Sequence, residues 1–358
     1  MEKYSKPDML THRKDEHLSI ILENRHGNSN KSNGFELIDF EHCALPDFDL
    51  ADIVVGQTFL GKSIGAPVLV SSMTGGPTRA AAINQSVAIV CEELKLPFAV
   101  GSQRIAIEQE GSAGLGKELR RIAPSVPILG NIGIAQFNLG FGIDEARRAV
   151  EMIDADALYI HLNPLQEAIQ PEGDRDWSGL FEKIVTIDDA LHVPIAIKEV
   201  GFGISASLAR RFTEAGISII DVAGAGGTNW AMVEAARMDD SVHARFKTTF
   251  ASWGIPTANA VIAARSACPD ATVVASGGIK SGLDVAKAIR IGADLAGQAA
   301  TLLPSANESP EALLAHLSAL IEELRIICFC TGSKDLETLK SAPLQNAILV
   351  TEPQNLAR

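Results

Sequence analysis

The run Ala157-Leu158-Tyr159-Ile160 passes without a break into His161-Leu162-Asn163-Pro164-Leu165-Gln166-Glu167, and Gly173-Asp174 follows six residues later. A short apolar run of this kind reads as a buried strand, and this one stops in His, Asn, Gln and Glu. Ligands in α/β proteins bind at the carboxyl ends of parallel strands, so four polar side chains there mark a candidate site. An ordinary strand-to-helix loop gives the same pattern, and one run does not choose between them. The choice comes from the rest of the chain, where other strands end in the same way.

Working outward, the same unit recurs: an apolar run, small and polar residues, then an Ala-rich helical stretch. The runs are Pro67 to Met73, Phe98 to Gln103, Pro127 to Gly133, Ala157 to Asn163, Pro194 to Val200, Ile217 to Gly224, Thr272 to Gly278 and Asp294 to Ala300. Eight strands alternating with helices predict an α/β protein folded as a (β/α)8 TIM barrel, because right-handed crossovers wind parallel strands into one sheet. A doubly wound open sheet is the alternative, since Asp294-Leu295-Ala296-Gly297 would also suit a helix end.

The barrel is placed over 67–330, with an N-terminal extension over 1–66 and a C-terminal tail over 331–358. In the extension, Leu18 to Leu22 suits a short helix, Asn24 to Gly34 is polar and reads as a mobile loop, and Phe35 to Pro46 reads as irregular chain. A hairpin over Val54 to Ile64 is expected to plug the barrel floor. Gly224 to Ala271 is longer than a normal connection and predicts a lid, with Ala225 to Trp230 flexible enough to close over a ligand. Ser309 to Cys330 is a helix punctuated by Pro310 and Gly332. Lys334 to Arg358 reads as a surface tail or an oligomer contact.

Composition narrows the partners. The 358 residues are 46% apolar and only 5% aromatic, as parallel sheets under Ala-rich helices require. A net charge of −13 repels nucleic acid and anionic membranes, but leaves room for a small anion if a few basic residues line its pocket. Five cysteines (Cys43, Cys91, Cys268, Cys328 and Cys330) form no CxxC pair, which predicts reduced thiols, no zinc site and a cytoplasmic protein. No apolar run reaches the roughly 18 residues of a membrane span.

In a barrel the strand ends face one mouth, so residues distant in sequence converge. Strand one ends in Ser71-Ser72-Met73-Thr74-Gly75-Gly76, strand two in Gly101-Ser102-Gln103-Arg104, strand three in Asn131, strand four in His161 and Asn163, and strand five in Lys198. The turns Gly224-Ala225-Gly226-Gly227-Thr228 and Ser276-Gly277-Gly278-Ile279-Lys280 offer backbone N–H groups where barrels commonly hold a phosphate.

Lys198 follows Ile195-Ala196-Ile197, so it points into an apolar barrel and needs an anionic or accepting partner. An ion pair with Glu199 or Asp221, a Schiff-base lysine, and a partner for the N1/C2=O edge of a flavin are all open. Glu167 and Gln166 suit a divalent ion or a substrate oxygen, and a solvated loop carboxylate is the plain alternative for Glu167. His161 is a candidate acid or base, although a histidine bonded to its own loop is the commoner case. Arg104, Arg13 and Lys14 are candidates for an anion clamp, and for Arg13 and Lys14 alone a solvated charge cluster is the default.

Taken together, the motifs resemble those of the FMN-dependent type 2 isopentenyl-diphosphate isomerase family. The pieces are Arg13-Lys14-Asp15-Glu16-His17-Leu18, Ser72-Met73-Thr74-Gly75-Gly76, Gly101-Ser102-Gln103-Arg104, Asn131-Ile132-Gly133, His161 to Glu167 with Gln170-Pro171-Glu172-Gly173-Asp174, Lys198-Glu199-Val200-Gly201, Gly224 to Thr228, Trp253-Gly254-Ile255-Pro256-Thr257 and Ser276 to Ile279. The resemblance implies a flavoprotein that interconverts isopentenyl and dimethylallyl diphosphate for isoprene biosynthesis, using reduced FMN, magnesium, and NADPH or NADH as reductant. It implies that Ser72, Met73, Thr74, Gly75, Ser102, Asn131, Lys198 and Thr228 contact FMN, with Gly278, Lys280, Ala299 and Ala300 near its phosphate. Arg13, Lys14, Ser102, Gln103, Arg104, His161, Asn163 and Gln166 would hold the diphosphate substrate, and Glu167 the magnesium. Gln166, Lys198 and His161 would serve the chemistry, and a tetramer or octamer is the implied assembly.

The chain departs from the family pattern at Ala223, where Ser is usual, at Cys43 for Asn, at Lys280 for Arg, and over Gln298-Ala299-Ala300. Two other flavin or phosphate barrels compete with this reading. A 2-hydroxy-acid oxidase would want a His base near the late strands, yet none lies between His243 and His316. An inosine-monophosphate-type dehydrogenase would want a cysteine after strand six, where there is none.

Overall fold

Each of the eight predicted runs contains a strand, shorter than the run, in a computed structural model that describes residues 14, 16–23, 30–73, 79–108, 114–237 and 241–345. They are β1 (Val68–Val70), β2 (Phe98–Ala99), β3 (Ile128–Gly133), β4 (Ala157–Leu162), β5 (Ile195–Glu199), β6 (Ile219–Asp221), β7 (Thr272–Ser276) and β8 (Leu295–Gln298). All neighbours are parallel, and β8 closes on β1 through Ala296 opposite Val68 and Gln298 opposite Val70. The doubly wound alternative is excluded by that closure.

Both faces of these strands are buried. Val68, Ile128, Leu158, Ile195, Ile220 and Val273 face the surrounding helices, while Leu69, Leu129, Tyr159, Ala196, Ile219, Val274 and Leu295 fill the interior. This is why the strands read as continuous apolar runs rather than as alternations.

Eight helices follow the strands in turn: α1 (Arg79–Leu94), α2 (Lys117–Ile122), α3 (Ile143–Ile153), α4 (Leu180–Ala190), α5 (Ala206–Glu214), α6 (Thr257–Ala267), α7 (Gly282–Arg290) and α8 (Pro310–Cys330). Local chemistry fixes their starts. The Ser281 hydroxyl caps α7 in a box with Asp284, and Ser309 with Pro310 opens α8. Gly332 follows α8 at φ 71°, the left-handed conformation that a glycine adopts without strain.

The hairpin of Gln57–Phe59 and Lys62–Ile64 closes the floor, inserting Phe59 and Ile64 into the interior cluster. Each buried side chain of this size contributes about 1.5–3 kcal/mol. The floor and the mouth are therefore built by different parts of the chain.

Three expectations are corrected. Within the stretch read as a mobile loop, residues 30–34 are pinned to the mouth: Asn33 Nδ2 donates to the Gly278 carbonyl at 2.7 Å, and Ala258 N to the Asn33 carbonyl at 2.9 Å. Residues 24–29 lie outside the described residues. The tail read over 331–358 is, as far as residue 345, part of the body. Leu336–Leu339 is a helix with Leu339 fully buried, and Phe40 bridges Leu344.

The long connection after β6 is a roof with its own packing rather than a flexible Gly-rich flap. It carries helices Trp230–Ala236 and Ser241–Thr249, whose Ala231, Trp230 and Phe246 pack with Ile169 and Phe202. Its glycines serve close approach, since a Cβ on Gly226 would collide with Asn33 and one on Gly227 with the Gly278 backbone. The turns after β6 and β7 thus meet one another and the extension. Among the described residues no helix is long and apolar enough to cross a membrane.

Candidate active site at the barrel mouth

A cavity of about 620 Å³ opens at the carboxyl ends of the strands, within the range of small-molecule sites. Of the residues singled out in the sequence, Lys14, Ser72, Met73, Ser102, Arg104, Asn131, His161, Asn163, Gln166, Glu167, Lys198, Thr228, Gly278, Lys280, Ala299 and Ala300 line it. Arg13, Thr74 and Gly75 lie outside the described residues. Gln103 is the exception: its Nε2 donates to the Ala149 carbonyl at 2.8 Å, its Oε1 accepts from Asn131 N, and it has no exposed surface. The substrate contact expected of Gln103 is replaced by a brace between β3 and α3.

The strand-four motif forms a bonded group. Asn163 Nδ2 donates to Glu167 Oε1 at 2.9 Å and to Gln166 Oε1 at 3.2 Å, and Asp174 N donates to Glu167 Oε2 at 2.8 Å. Gly173 is required there because a Cβ would overlap the Glu167 carbonyl. The spacing between Glu167 and Asp174 is thus the length of one returning turn. At the rim, Arg104 pairs with Glu108 at 2.8 Å and reaches Asp174 at 3.4 Å, while Lys14 Nζ donates to the Ser102 carbonyl at 3.0 Å.

His161 bonds Asn131. The Asn131 amide donates to the Val100 carbonyl, so its Oδ1 faces His161 Nδ1 at 2.8 Å, and that nitrogen must carry the proton. Burial, with the charges of Lys198 and Lys14, pushes the imidazole down to about 3. A neutral ring with Nε2 as acceptor is the form present at neutral pH. This removes His161 as a resting cationic acid.

Lys198 Nζ donates to the Glu199 carbonyl at 2.8 Å and lies 3.8 Å from Asp221 Oδ2. Of the two ion pairs open from the sequence, the structure has the one with Asp221. The Glu199 carboxylate turns the other way and accepts from the backbone N–H groups of Val200, Gly201 and Phe202. Burial nevertheless pushes Glu199 up to about 7, against those three bonds and the Lys198 charge.

Several contributors were not singled out in the sequence. Glu234, on the roof helix, accepts from Gln166 Nε2 at 2.8 Å, pairs with His17 Nε2 at 3.0 Å and with Arg237 at 2.7 Å. Burial opposes its charge, but the His17 bond and charge, then Gln166 and Arg237, hold it down at about 2. The signal was present: Glu234 is the one acid within Ala231-Met232-Val233-Glu234-Ala235-Ala236. Gln136 was likewise missed, as was the apolar lining that Leu18, Ile21, Leu22 and Trp230 give the cavity.

The residues suit a flavin mononucleotide. Ser71 and Ser72 present buried hydroxyls without a hydrogen-bond partner, and Gly226, Gly227, Gly277 and Gly278 line the cavity with backbone and add no side chain of their own. A metal has a thinner donor set. Among the described residues no three His, Cys, Asp or Glu side chains are grouped to hold an ion, so Glu167 and the unpartnered Asn163 Oδ1 would need ligand oxygens and water to complete a shell.

A family model described as FMN-dependent dehydrogenase matches residues 161–346. An isopentenyl-diphosphate delta-isomerase of Stutzerimonas stutzeri is 52% identical over 335 residues, covering 94% of this chain and 97% of that protein. One from Xanthobacter autotrophicus is 51% identical, covering 93% and 96%. Among solved structures, a mandelate oxidase variant with an FMN monooxide adduct superposes with a TM-score of 0.64 at 15% identity, covering 95% of this chain and 99% of that one. A flavocytochrome b2 variant with pyruvate bound gives 0.64 at 16%, covering 96% and 85%. These structural likenesses speak for the shared barrel alone.

Proposed function

The chain belongs to the FMN-dependent isopentenyl-diphosphate delta-isomerase family, and on that premise we propose that it interconverts isopentenyl and dimethylallyl diphosphate at the barrel mouth. The observation that carries the reading is the meeting of His161, Asn163, Gln166 and Lys198 in one cavity whose rim bears Lys14 and Arg104. An acidic protein has concentrated cations where a diphosphate would bind.

Moving the double bond requires a proton added at one carbon and another removed from C2, in a site closed to water. Reduced FMN, when bound, supplies that acid–base chemistry, and NADPH or NADH is the proposed reductant. Ser72, Met73, Ser102, Asn131, Lys198 and Thr228 would hold its ring and ribityl chain, with Gly278, Lys280, Ala299 and Ala300 at its phosphate. Thr74 and Gly75 belong to the same proposal on sequence grounds.

The chain's own groups would then act as follows. Lys14 and Arg104, with Arg13 on sequence grounds, bind the diphosphate, Arg104 through its planar fork. Glu167 would hold a magnesium ion, which would supply positive charge for the diphosphate, since this ion commonly takes one protein carboxylate and completes its shell with phosphate oxygens and water. Leu18, Ile21, Leu22 and Trp230 give the five-carbon chain an apolar wall and exclude water. Gln166, fixed on both sides by Asn163 and Glu234, orients the alkene. His161 Nε2 accepts a hydrogen bond, and Lys198 stabilises negative charge at the N1/C2=O edge of the ring. A homo-oligomer, tetramer or octamer, is proposed with the family.

The test is an anaerobic incubation with isopentenyl diphosphate, FMN, magnesium and NADPH in D2O, read by NMR. Dimethylallyl diphosphate should form with deuterium incorporation and without stoichiometric loss of NADPH. Reduction of bound flavin with no isomer formed would overturn the substrate assignment while leaving the flavin barrel standing.

A further inference from the structure

Directly beneath the cavity lies a carboxylate that does not line it. Asp221 is the register partner of Lys198 across β5 and β6 and has no exposed surface. Its Oδ1 accepts from Ser276 Oγ at 2.5 Å and from Ala223 N at 3.3 Å. Its Oδ2 has no hydrogen-bond partner and lies 3.8 Å from Lys198 Nζ. Below it the buried Tyr159 hydroxyl faces Asp221, and burial, the Asp221 charge and hydrogen bonding to Asp221 push the phenol up, so it stays protonated.

Lys198 and Ser276, the two residues on either side, both line the cavity. A carboxylate removed from water must be offset by charge and hydrogen bonds, and here the offsetting groups are the ones that face the ligand. The Ser276 hydroxyl has one proton, and it points at Asp221, so toward the cavity Ser276 offers lone pairs. The Asp221 bond to Ala223 N is made although Ala223 sits at φ 37°, a left-handed conformation that a Cβ disfavours. That conformation is kept at a non-glycine residue beside the site.

We infer that Asp221 is a positioning residue for the flavin: it anchors the Lys198 ammonium and orients the Ser276 hydroxyl, so that a cation and an acceptor are presented together to the ring. The inference rests on the reading that Lys198 faces the flavin, and it assigns the control of that cation to a residue that touches neither flavin nor substrate.

Charge alone and anchoring predict opposite signs. A bare negative charge disfavours the anionic reduced ring, so its removal would favour reduced FMN. In Asp221→Asn, however, the amide oxygen must keep facing Ala223 N, which turns the NH2 group toward the Lys198 ammonium. Donor then faces donor, and the cation loses its hold.

The experiment measures FMN dissociation constants of the holoenzyme in oxidised and reduced form, with the absorption spectrum of the reduced flavin. Lys198→Met should weaken reduced relative to oxidised FMN by about tenfold or more, the size of one charge-assisted contact. Asp221→Asn should change the ratio in the same direction, shift the reduced spectrum toward the neutral form, and add nothing to Lys198→Met. A ratio unchanged or moved the other way by Asp221→Asn overturns the inference. A ratio unmoved by Lys198→Met overturns the underlying placement of Lys198 instead, and the inference with it. If Asp221→Asn does not fold, Ser276→Ala carries the test, with a smaller change in the same direction expected and no change overturning it.

Discussion

Gln166 Nε2 donates to Glu234 Oε1 at 2.8 Å, tying the strand end that opens the site to the helix that roofs it. The Glu234 carboxylate is held at about 2 against its ordinary 4.5, despite full burial, by His17, Gln166 and Arg237. A carboxylate depressed in the folded state adds stability that is present above pH 4.5 and lost as the pH falls toward 2. The shift corresponds to roughly 3 kcal/mol. Glu234→Gln is therefore expected to lower unfolding free energy by up to about 3 kcal/mol at pH 7. Urea titrations across pH should show the gap between variant and parent closing in the acid range; a gap independent of pH would count against the charge.

The His161 ring offers a second pH test. Its folded value of about 3 lies below the ordinary 6.5, so its neutral form adds stability that is present above pH 6.5 and drains away between 6.5 and 3. Nitrogen-15 NMR at pH 5 should find His161 neutral and protonated on Nδ1. A titration of this ring near 6.5 would contradict the geometry with Asn131.

Glu167→Gln separates metal from flavin. It removes the charge and, having a single acceptor oxygen, keeps only one of the two bonds from Asn163 Nδ2 and Asp174 N, so magnesium affinity in the presence of diphosphate should fall by about 10- to 100-fold, as for losses around metal ligands. FMN affinity should not change. Calorimetry with magnesium and inorganic pyrophosphate reads the first, fluorescence quenching of FMN the second.

Much of the fold was legible because each buried strand is a short apolar run ending in small or polar residues, and eight such runs leave few topologies. Which way a residue past a strand end turns was not legible. β2 ends at Ala99, so Gln103, four residues on, has no pleat to follow, and the empty space at Gly130 draws its amide into the wall instead. Glu234 escaped notice because its partners, His17 and Gln166, are remote in sequence and only the roof helix brings them together. Asn33 and the glycines of the strand-six turn could be read as loop residues, but their mutual contact exists only in three dimensions.

The floor can be tested apart from the mouth. Phe59 fills the barrel end opposite the cavity, so Phe59→Ala should cost about 3–5 kcal/mol of stability with flavin affinity unchanged in the fraction that remains folded. Thermal unfolding and FMN titration of the same preparation check both halves of the statement.

The segment after α8 has a consequence for the order of events at the ribosome. Glu41 N and Cys43 N donate to the carbonyls of Pro343 and Cys330, Gln345 N donates to Asp39, and Val54 bridges Asp335. A stretch translated early is thus secured by one translated late. Nascent chains must carry residues 39–54 without their partners through most of elongation, and a stalled or truncated product would present those same backbone groups to chaperones and proteases.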